Sequence, residues 1–257
     1  MPLMNLGATS PADQSMYRGK RLGIMQPYFF PYLGYFGLIA HTDRWIVFDS
    51  VQYIRKGWMN RNRILKAGGG EKYIGVTVAD HSRETLIRDI RLAHEPDRFD
   101  RIRRHLDAYK LLRAPYYRAV LELLRDCLDP QTDDLVALLV RCLSRTCSYI
   151  GIPFLYEVYS AMGLKHPEPK RPMDWSLYMC VALGAAEYVN PPGGRNLFDA
   201  QRFADSGLKL LYYEQEFPPY DQGGKAFIAG LSIIDVMMFS TPGRIREMLA
   251  QRRLCER

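Results

Sequence analysis

The first fifth of the chain alternates between apolar runs typical of strands and one helical pattern. Residues 21–26 form a short apolar run that stops at Pro27, which predicts a buried strand followed by a loop. Apolar side chains recur at helical spacing over residues 32–41, and residues 44–50 form a second β-favouring block. This succession is a βαβ unit, so we predict a parallel strand pair joined by a right-handed crossover.

A helical section occupies the middle of the chain, where helical periodicity dominates from about residue 97 to residue 150, with breaks at Pro115 and Pro130. We expect further strands at residues 73–78, 152–159, 187–190 and 208–213, further helices at 174–183, 197–204, 233–239 and 242–251, and either a strand or a short helix at 84–92. Strands and helices that alternate around a helical insertion predict an α/β fold with a mostly parallel, Rossmann-like sheet of βαβ units.

The domain organisation follows from what the sequence lacks. There is no internal repeat and no linker-like stretch, so we expect a flexible leader at residues 1–19 and a single α/β domain over residues 20–257. The leader has no continuous apolar block of the kind a secretion signal carries. No apolar run approaches the roughly 18–20 residues that cross a bilayer. We therefore expect a cytoplasmic protein without stable membrane insertion.

Composition and charge narrow the classes of partner. Hydrophobic residues make up 47% of the 257 positions, enough to form a core, and the net charge is +7. A basic surface suits nucleotides, nucleotide-linked sugars, tRNA or anionic lipid, and we expect no DNA partner. Part of the basic excess lies on the expected terminal helix, from Arg244 to Arg257. The five cysteines lack metal-site spacing, so we expect mostly buried thiols and no metal site.

Polar residues follow three of the predicted strands. Ligands of open parallel sheets bind beyond the carboxyl ends of the strands, so these residues are candidates for binding or catalysis. They are Gln26 and Tyr28, then Asp49, Gln52 and Tyr53, and then Asn190, Gly193 and Gly194. The alternative is that the Asn-Pro and Gly-Gly pairs only form turns.

The segment from Trp58 to Leu65 is unusual because amides alternate with arginines. If it is extended, Trp58, Asn60 and Asn62 share one face, and Arg61 and Arg63 share the other. Asparagine amides suit a sugar or an amide, and arginines suit a phosphate. The alternative is that the asparagines bond neighbouring backbone and the arginines are solvated.

Two further titratable residues stand out. His81 follows a predicted strand in a loop, and its ordinary pKa range suits a general base. Asp235 lies within an apolar run, where a carboxyl group either pairs inside the protein or lines a site. The chain has no Walker P-loop, no G-x-G-x-x-G, no G-x-S-x-G and no H-E-x-x-H motif.

Five runs of residues occur together in one order along the chain. They are residues 25–36 (MQPYFFPYLGYF), 48–53 (FDSVQY), 58–64 (WMNRNRI), 188–194 (YVNPPGG) and 231–235 (LSIID). These runs resemble the WbqC-like proteins of bacterial surface-polysaccharide gene clusters. That family often has a second aspartate where this chain has Ser50, so only Asp49 is carried over as the acid.

The resemblance implies a transferase. Members of the family have been proposed to attach glycine or a related acyl group to an amino sugar, which implies a nucleotide-linked amino sugar as the substrate. Amide formation on such a substrate needs a base that takes the amine proton, hydrogen-bond donors to the developing oxyanion, and residues that bind the phosphate groups. The resemblance implies that Asp49 is the base and that Gln26, Asn60 or Asn62 are the donors. It also implies that Arg61 and Arg63 bind the phosphate.

The cofactor and the acyl donor stay open between three forms: an aminoacyl-adenylate, an acyl-CoA, and an aminoacyl-tRNA or other acyl carrier. One alternative function is an ATP-dependent ligase that makes its own acyl-adenylate. The opening βαβ unit resembles nucleotidylyltransferases, but Tyr32 and Tyr35 stand where that family has its two histidines. The other alternative is a non-catalytic protein that binds nucleotide-linked sugars or serves as a scaffold.

Overall fold

The computed structural model describes residues 14–66, 68–128, 132–214, 219–224, 226–251 and 253–256. The strands are β1 Arg21–Met25, β2 Arg44–Val47, β3 Arg61–Leu65, β4 Glu71–Gly75, β5 Tyr156–Val158, β6 Glu187–Asn190, β7 Lys209–Glu214 and β8 Arg253–Glu256. The α-helices are α1 Leu33–Ala40, α2 Arg98–His105, α3 Asp107–Leu111, α4 Tyr117–Leu128, α5 Leu135–Ile150, α6 Pro172–Leu183, α7 Ala200–Asp205, α8 Ile233–Phe239 and α9 Pro242–Ala250. Short 3-10 helices span Gln14–Met16, Ile87–Asp89, Tyr159–Ala161 and Pro192–Gly194.

The main sheet has, within the described ranges, six strands in the order β5-β2-β1-β6-β7-β8. The first five are parallel to one another, and β8 is antiparallel to β7 at the edge. Numbered by their order along the chain, these strands follow the 3-2-1-4-5-6 order of doubly wound Rossmann sheets. The predicted α/β fold with a mostly parallel sheet is therefore confirmed.

Both faces of this sheet are buried, because side chains of successive strand residues point to opposite faces. On one face, Leu22 and Ile46 pack in a cluster with residues of α6 and α7. On the other, Trp45, Val47 and Leu211 pack against α1, α5, α8 and α9. Helices on both faces are what a parallel sheet requires, and they leave its two ends open to solvent.

The predicted helical insertion is present as α2, α3, α4 and α5. Pro115 lies between α3 and α4, where the expected break occurs, whereas Pro130 lies outside the described residues. The strand expected at residues 73–78 is β4, and it pairs antiparallel with β3 in a separate two-stranded sheet. A hairpin that precedes the helical insertion therefore forms a small sheet of its own.

The expected terminal helix over residues 242–251 is too long at its carboxyl end. The helix α9 ends at Ala250, and β8 then satisfies its backbone groups against β7. The basic residues expected on one helix are therefore divided: Arg244 and Arg246 lie on α9, while Arg252 and Arg257 lie outside the described residues.

Three other boundaries differ from the sequence-based predictions. The helix expected at 197–204 begins at Ala200, because the Asp199 carboxylate accepts the Gln201 backbone N–H and caps it. The β-favouring run at 152–159 contributes only the three residues of β5. Residues 84–92 form neither element alone, since the 3-10 helix Ile87–Asp89 is flanked by isolated bridges.

The amino-terminal leader has structure where it is described. Residues 1–13 lie outside the described residues, and Tyr17, just after the first 3-10 helix, is buried in the same cluster as α6. Four of the five cysteines are buried, as expected. Over the described residues, no helix combines the length and apolar character needed to cross a membrane.

Candidate functional site

The order of strands reverses between β1 and β6. From these two central neighbours, β2 and β5 extend the sheet to one side, and β7 and β8 extend it to the other. In doubly wound sheets this reversal opens a crevice beyond the carboxyl ends of the strands. A cavity of about 490 Å³ lies there, within the roughly 300–1,000 Å³ range of ligand pockets. We call it the switch cavity.

The walls of the switch cavity are mostly aromatic and apolar. They are formed by Met25, Tyr28, Pro31, Tyr32, Gly34, Tyr35, Leu38, Trp58, Asn62, Arg63, Pro191, Pro192, Tyr213 and Gly230. The fold thus brings together Tyr28, Trp58, Asn62 and Arg63, four of the residues proposed from the sequence as substrate-binding. Among the described lining residues, Arg63 alone carries a formal charge at neutral pH.

The loop after β1 is held in an unusual backbone conformation. Phe30 is buried and adopts a φ of 39°, in the left-handed region that a bulky residue rarely occupies. Its carbonyl oxygen accepts hydrogen bonds from the Asn62 amide at 2.9 Å and from Ser232 Oγ at 2.7 Å. The same Asn62 amide donates to the Phe29 carbonyl at 3.1 Å. Asn62 therefore fixes the loop that forms one wall of the cavity.

Backbone hydrogen bonds join three distant segments around this loop. The Phe29 N–H donates to the Trp58 carbonyl at 2.9 Å, and the Ser232 N–H donates to the Arg63 carbonyl at 2.9 Å. The Ile233 N–H, at the start of α8, donates to the Pro31 carbonyl at 2.8 Å. These bonds, with that of Ser232 to Phe30, 202 positions away, explain how distant residues form one cavity.

Arginines and aromatic rings stack at the mouth of the switch cavity. Trp58 and Tyr73 are 39% and 48% exposed, and their rings stack with centroids 6.3 Å apart. Arg61 lies over the Tyr73 ring and Arg63 over the Trp58 ring, at 4.3 and 5.6 Å. Arg63 also pairs with both carboxylate oxygens of Glu71, at 2.8 and 2.9 Å. The mouth is thus a basic and aromatic platform, in which Arg63 is already paired with Glu71.

Two other residues of this segment bond to protein backbone. The Asn60 amide donates to the Val76 carbonyl at 3.0 Å, and the Arg61 guanidinium donates to the Lys56 carbonyl. The strand begins only at Arg61, so the regular alternation expected from Trp58 onward is wrong for residues 58–60. Asn60 and Arg61 do not line the switch cavity.

The segment after β6 shapes the opposite wall through Pro191 and Pro192. Asn190 is buried, accepts the Tyr188 hydroxyl at 3.1 Å and donates to the Pro191 carbonyl at 3.3 Å. A side chain at Gly194 would collide with the Asn190 amide, so this glycine is required by packing. A side chain at Gly193 would meet open space.

Tyr28, Tyr32 and Tyr35 contribute phenol groups to the walls of the switch cavity. Burial raises the pKa of the phenols of Tyr28, Tyr32 and Tyr35 above the ordinary tyrosine value, so all three are neutral near pH 7. Tyr35 uses its hydroxyl to donate to the Gln26 carbonyl at 2.8 Å.

A second cavity, of about 450 Å³, opens on the other face of the sheet at the same end. It is lined by Gln26, Phe48, Val51, Pro169, Lys170, Arg171, Pro172 and Trp175. Met25 faces the switch cavity and the next residue, Gln26, faces this second cavity, as the alternation along an extended chain requires. Gln26 therefore stands at the boundary between the two.

Asp49 is buried beside the second cavity, next to its lining residue Phe48. Its carboxylate accepts the Ser160 backbone N–H at 3.0 Å, the Ser160 hydroxyl at 2.5 Å and the Ser50 hydroxyl at 3.2 Å. Asp49 is 1% exposed, whereas Ser160 is exposed. The Ser160 hydroxyl therefore links the buried carboxylate to an exposed residue.

Gln52, Tyr53 and His81 lie together at a third location. The Gln52 amide donates to the Arg83 carbonyl, and the ring of Tyr53 meets that of His81 edge-on at 5.1 Å. His81 Nδ1 lies 2.9 Å from the Ala79 carbonyl. None of the three is among the described residues that line either cavity.

A buried polar network is centred on Asp235, in the helix α8, whose first residues hold the loop of the switch cavity. The Asp235 carboxylate accepts hydrogen bonds from the hydroxyls of Tyr109 and Tyr220, at 2.7 and 2.5 Å, and from the Gln222 amide at 2.9 Å. Burial raises the pKa of Asp235 above the ordinary aspartate value. Asp235 therefore pairs inside the protein, one of the two roles expected for it.

Comparison with known proteins shows that residues 26–247 match the WbqC-like protein family. This range includes the segments that form both cavities. The chain belongs to this family. A protein of Mycobacterium tuberculosis (strain ATCC 25618 / H37Rv), named "Uncharacterized protein Rv1507c", is 28% identical over 228 residues, which cover 85% of this chain and 93% of the relative. No solved structure matches the chain significantly.

The runs that resemble the WbqC-like family do not all serve one cavity. Residues from 25–36, 58–64 and 188–194 line the switch cavity, and 231–235 holds its loop through Ser232. The run 48–53 contributes instead to the second cavity. The runs that resemble the family therefore contribute to both cavities.

Several residues of both cavities escaped the sequence analysis. Tyr213 and Gly230 line the switch cavity, and Lys170, Arg171 and Trp175 line the second. The signal for the latter was a basic pair in a proline-rich loop directly before a helix. Ser160 had no signal, because only the fold brings it to Asp49.

Proposed function

We propose that this WbqC-like protein transfers an acyl or aminoacyl group, such as glycine, to the amine of a nucleotide-linked amino sugar in surface-polysaccharide synthesis. The observation that carries the proposal is the switch cavity, an aromatic pocket at the strand-order reversal of a Rossmann-like sheet. In this fold that position takes nucleotides. Activated sugars of this kind are cytoplasmic substrates, in keeping with the expected location.

The platform at the mouth suits such a substrate. Trp58 and Tyr28 offer ring faces on which a base or a sugar can stack, and the Arg63 guanidinium suits a diphosphate. The phenols of Tyr28, which is partly buried, and of Tyr32, which is exposed, are neutral groups beside this platform. Because Asn62 is occupied in holding the loop, we assign it a positioning role.

Transfer to an amine releases a proton, which needs an acceptor. In this proposal Asp49 takes that proton through Ser160, because the exposed Ser160 hydroxyl already donates to the Asp49 carboxylate. The Gln26 amide, at the boundary of the two cavities, donates to the developing oxyanion. The acyl carbon forms a bond to the sugar nitrogen, and its bond to the donor's leaving group breaks.

The test is calorimetric titration with UDP-glucosamine. We expect the alanine variant of Trp58 to bind about tenfold more weakly, since stacking on an aromatic side chain contributes roughly 1–3 kcal/mol. The matched control is Tyr156→Ala, because Tyr156 is 38% exposed and stacked on Phe154, much as Trp58 is 39% exposed and stacked on Tyr73. The control should change affinity less than twofold.

Two results would overturn the proposal. One is the absence of binding by UDP-glucosamine and other nucleotide-linked amino sugars at millimolar concentration. The other is binding without acylation of the amine when glycyl-adenylate, glycyl-CoA and glycyl-tRNA are each supplied, which would indicate a binding protein. Release of pyrophosphate from ATP and glycine alone would instead identify the ligase.

A further inference from the structure

The second cavity lies over the opposite face of the sheet from the switch cavity, yet both open at the end of β1. Its floor includes Phe48, which follows β2, and one side is formed by the residues that lead into α6. Met25 and Gln26, which line the two cavities, are consecutive residues. The two cavities are therefore neighbours at this point of the chain.

Aromatic rings form one side of the second cavity. The rings of Phe48 and Trp175 lie 5.1 Å apart, and that of Tyr159 packs edge-on against both, at 5.4 and 5.7 Å. Trp175 is only partly buried, so its ring is available to a ligand in the cavity. A purine base is a flat, polarizable group that stacks well on such a surface.

Two cations form the other side. The side chains of Lys170 and Arg171 make no ion pair with any described residue. Of the two acids that flank them along the chain, Glu168 forms no described ion pair with either cation. The other, Asp174, is already occupied, because it accepts the backbone N–H groups of Lys170 and Arg171 at 3.0 Å and pairs with Arg202 at 2.7 Å. The cavity thus presents, beside an aromatic surface, two cationic side chains that form no ion pair with a described residue.

We infer that the second cavity binds the adenosine phosphate of the acyl donor, an inference that rests on the proposed function. The Trp175 ring would take the adenine, and Lys170 and Arg171 the phosphate. An acyl-adenylate and an acyl-CoA share this chemistry, and the cavity of about 450 Å³ suits a single nucleotide. The acyl group then reaches Gln26, where the amine of the sugar arrives from the switch cavity.

The test measures binding of AMP and of coenzyme A to the full chain by calorimetry. The variant carries Lys170→Gln with Arg171→Gln, which removes both charges from side chains that are not buried, so the fold is expected to persist. The control carries Lys110→Gln with Arg118→Gln, two exposed cations of the helical insertion on the other face of the sheet. At least one of the two probes should bind the wild type, and its affinity should fall at least tenfold in the variant and less than twofold in the control.

Three further readouts separate this inference from the proposed function. UDP-glucosamine should bind the Lys170/Arg171 variant as it binds the wild type, and it should not compete with AMP or coenzyme A. Competition between them, equal affinity in variant and wild type, or binding of neither probe would overturn the inference while the switch cavity still takes its sugar. Binding of tRNA with neither AMP nor coenzyme A would also overturn it. Failure of UDP-glucosamine to bind the wild type, while AMP or coenzyme A still binds it, would count against the proposed function and not against this inference.

Discussion

The segments around the two cavities each contain a buried carboxylate, Asp235 for the switch cavity and Asp49 for the second cavity. The two carboxylates differ in the residues that surround them. Asp235, in α8, receives three side-chain donors, of which Tyr109 and Gln222 are buried and Tyr220 is partly buried. Asp49, beside the second cavity, receives two of its three donors from the exposed Ser160. The difference teaches that a buried acid surrounded by buried donors stabilises a wall, whereas one connected to an exposed hydroxyl can exchange a proton.

The largest effect expected from this comparison is on stability. Asp235→Ala strands the hydroxyls of Tyr109 and Tyr220 and the Gln222 amide without their acceptor, and we expect it to lower the free energy of unfolding by about 3 kcal/mol or more. Asp49→Ala should cost about 1.5 kcal/mol, because water can satisfy exposed Ser160. Urea unfolding measures both changes.

The effects of the same two substitutions on acyl transfer should follow the opposite order. Under the proposed function, Asp49→Ala should abolish acyl transfer in protein that is still folded, while Asp235→Ala should keep turnover per folded molecule. Equal losses of stability in the two variants, or full turnover by Asp49→Ala, would remove the distinction between the two carboxylates.

A smaller effect concerns the pH dependence of stability. Burial raises the pKa of Asp235 in the folded state above its ordinary value of 3.8. Between the two values the folded state binds more protons than the unfolded state, so this group makes stability fall as the pH rises. We expect the stability advantage of the wild type over Asp235→Asn to decrease as the pH rises from about 4 toward neutrality. An advantage that grows over this range, in urea melts at each pH, would contradict the burial of the carboxyl group.

The smallest effect tests the charge at the mouth of the switch cavity. In Glu71→Gln, Arg63 loses its anionic partner and is available to a diphosphate, so UDP-glucosamine should bind about two- to threefold more tightly. Because the pair is partly exposed, stability should change by less than about 1 kcal/mol. Glu247→Gln removes an exposed partner of Arg244 in the same way and serves as the control. Weaker binding by Glu71→Gln would show that the Arg63–Glu71 pair orders the site.

The sequence was enough to predict the parallel sheet, its first βαβ unit and the helical insertion. Those features depend on hydrophobic periodicity, which is local and follows the geometry of strands and helices. The segments after β1 and β6 were also predictable as site segments, because the carboxyl ends of parallel strands share one edge. Four of the predicted residues, Tyr28, Trp58, Asn62 and Arg63, do line one cavity.

The tertiary structure alone decided which of the polar residues face a ligand. Asn60 and Asn62 are chemically identical and two positions apart, yet each amide is aimed by a different backbone carbonyl, at Val76 and at Phe30. Asp49 meets Ser160, which is 111 residues away, and Lys170 and Arg171 line one cavity with Phe48. Such contacts depend on how distant segments pack, and no periodicity within one segment encodes them. The sequence by itself therefore determined which end of the sheet gathers the polar segments, and the packing determined that this end holds two cavities.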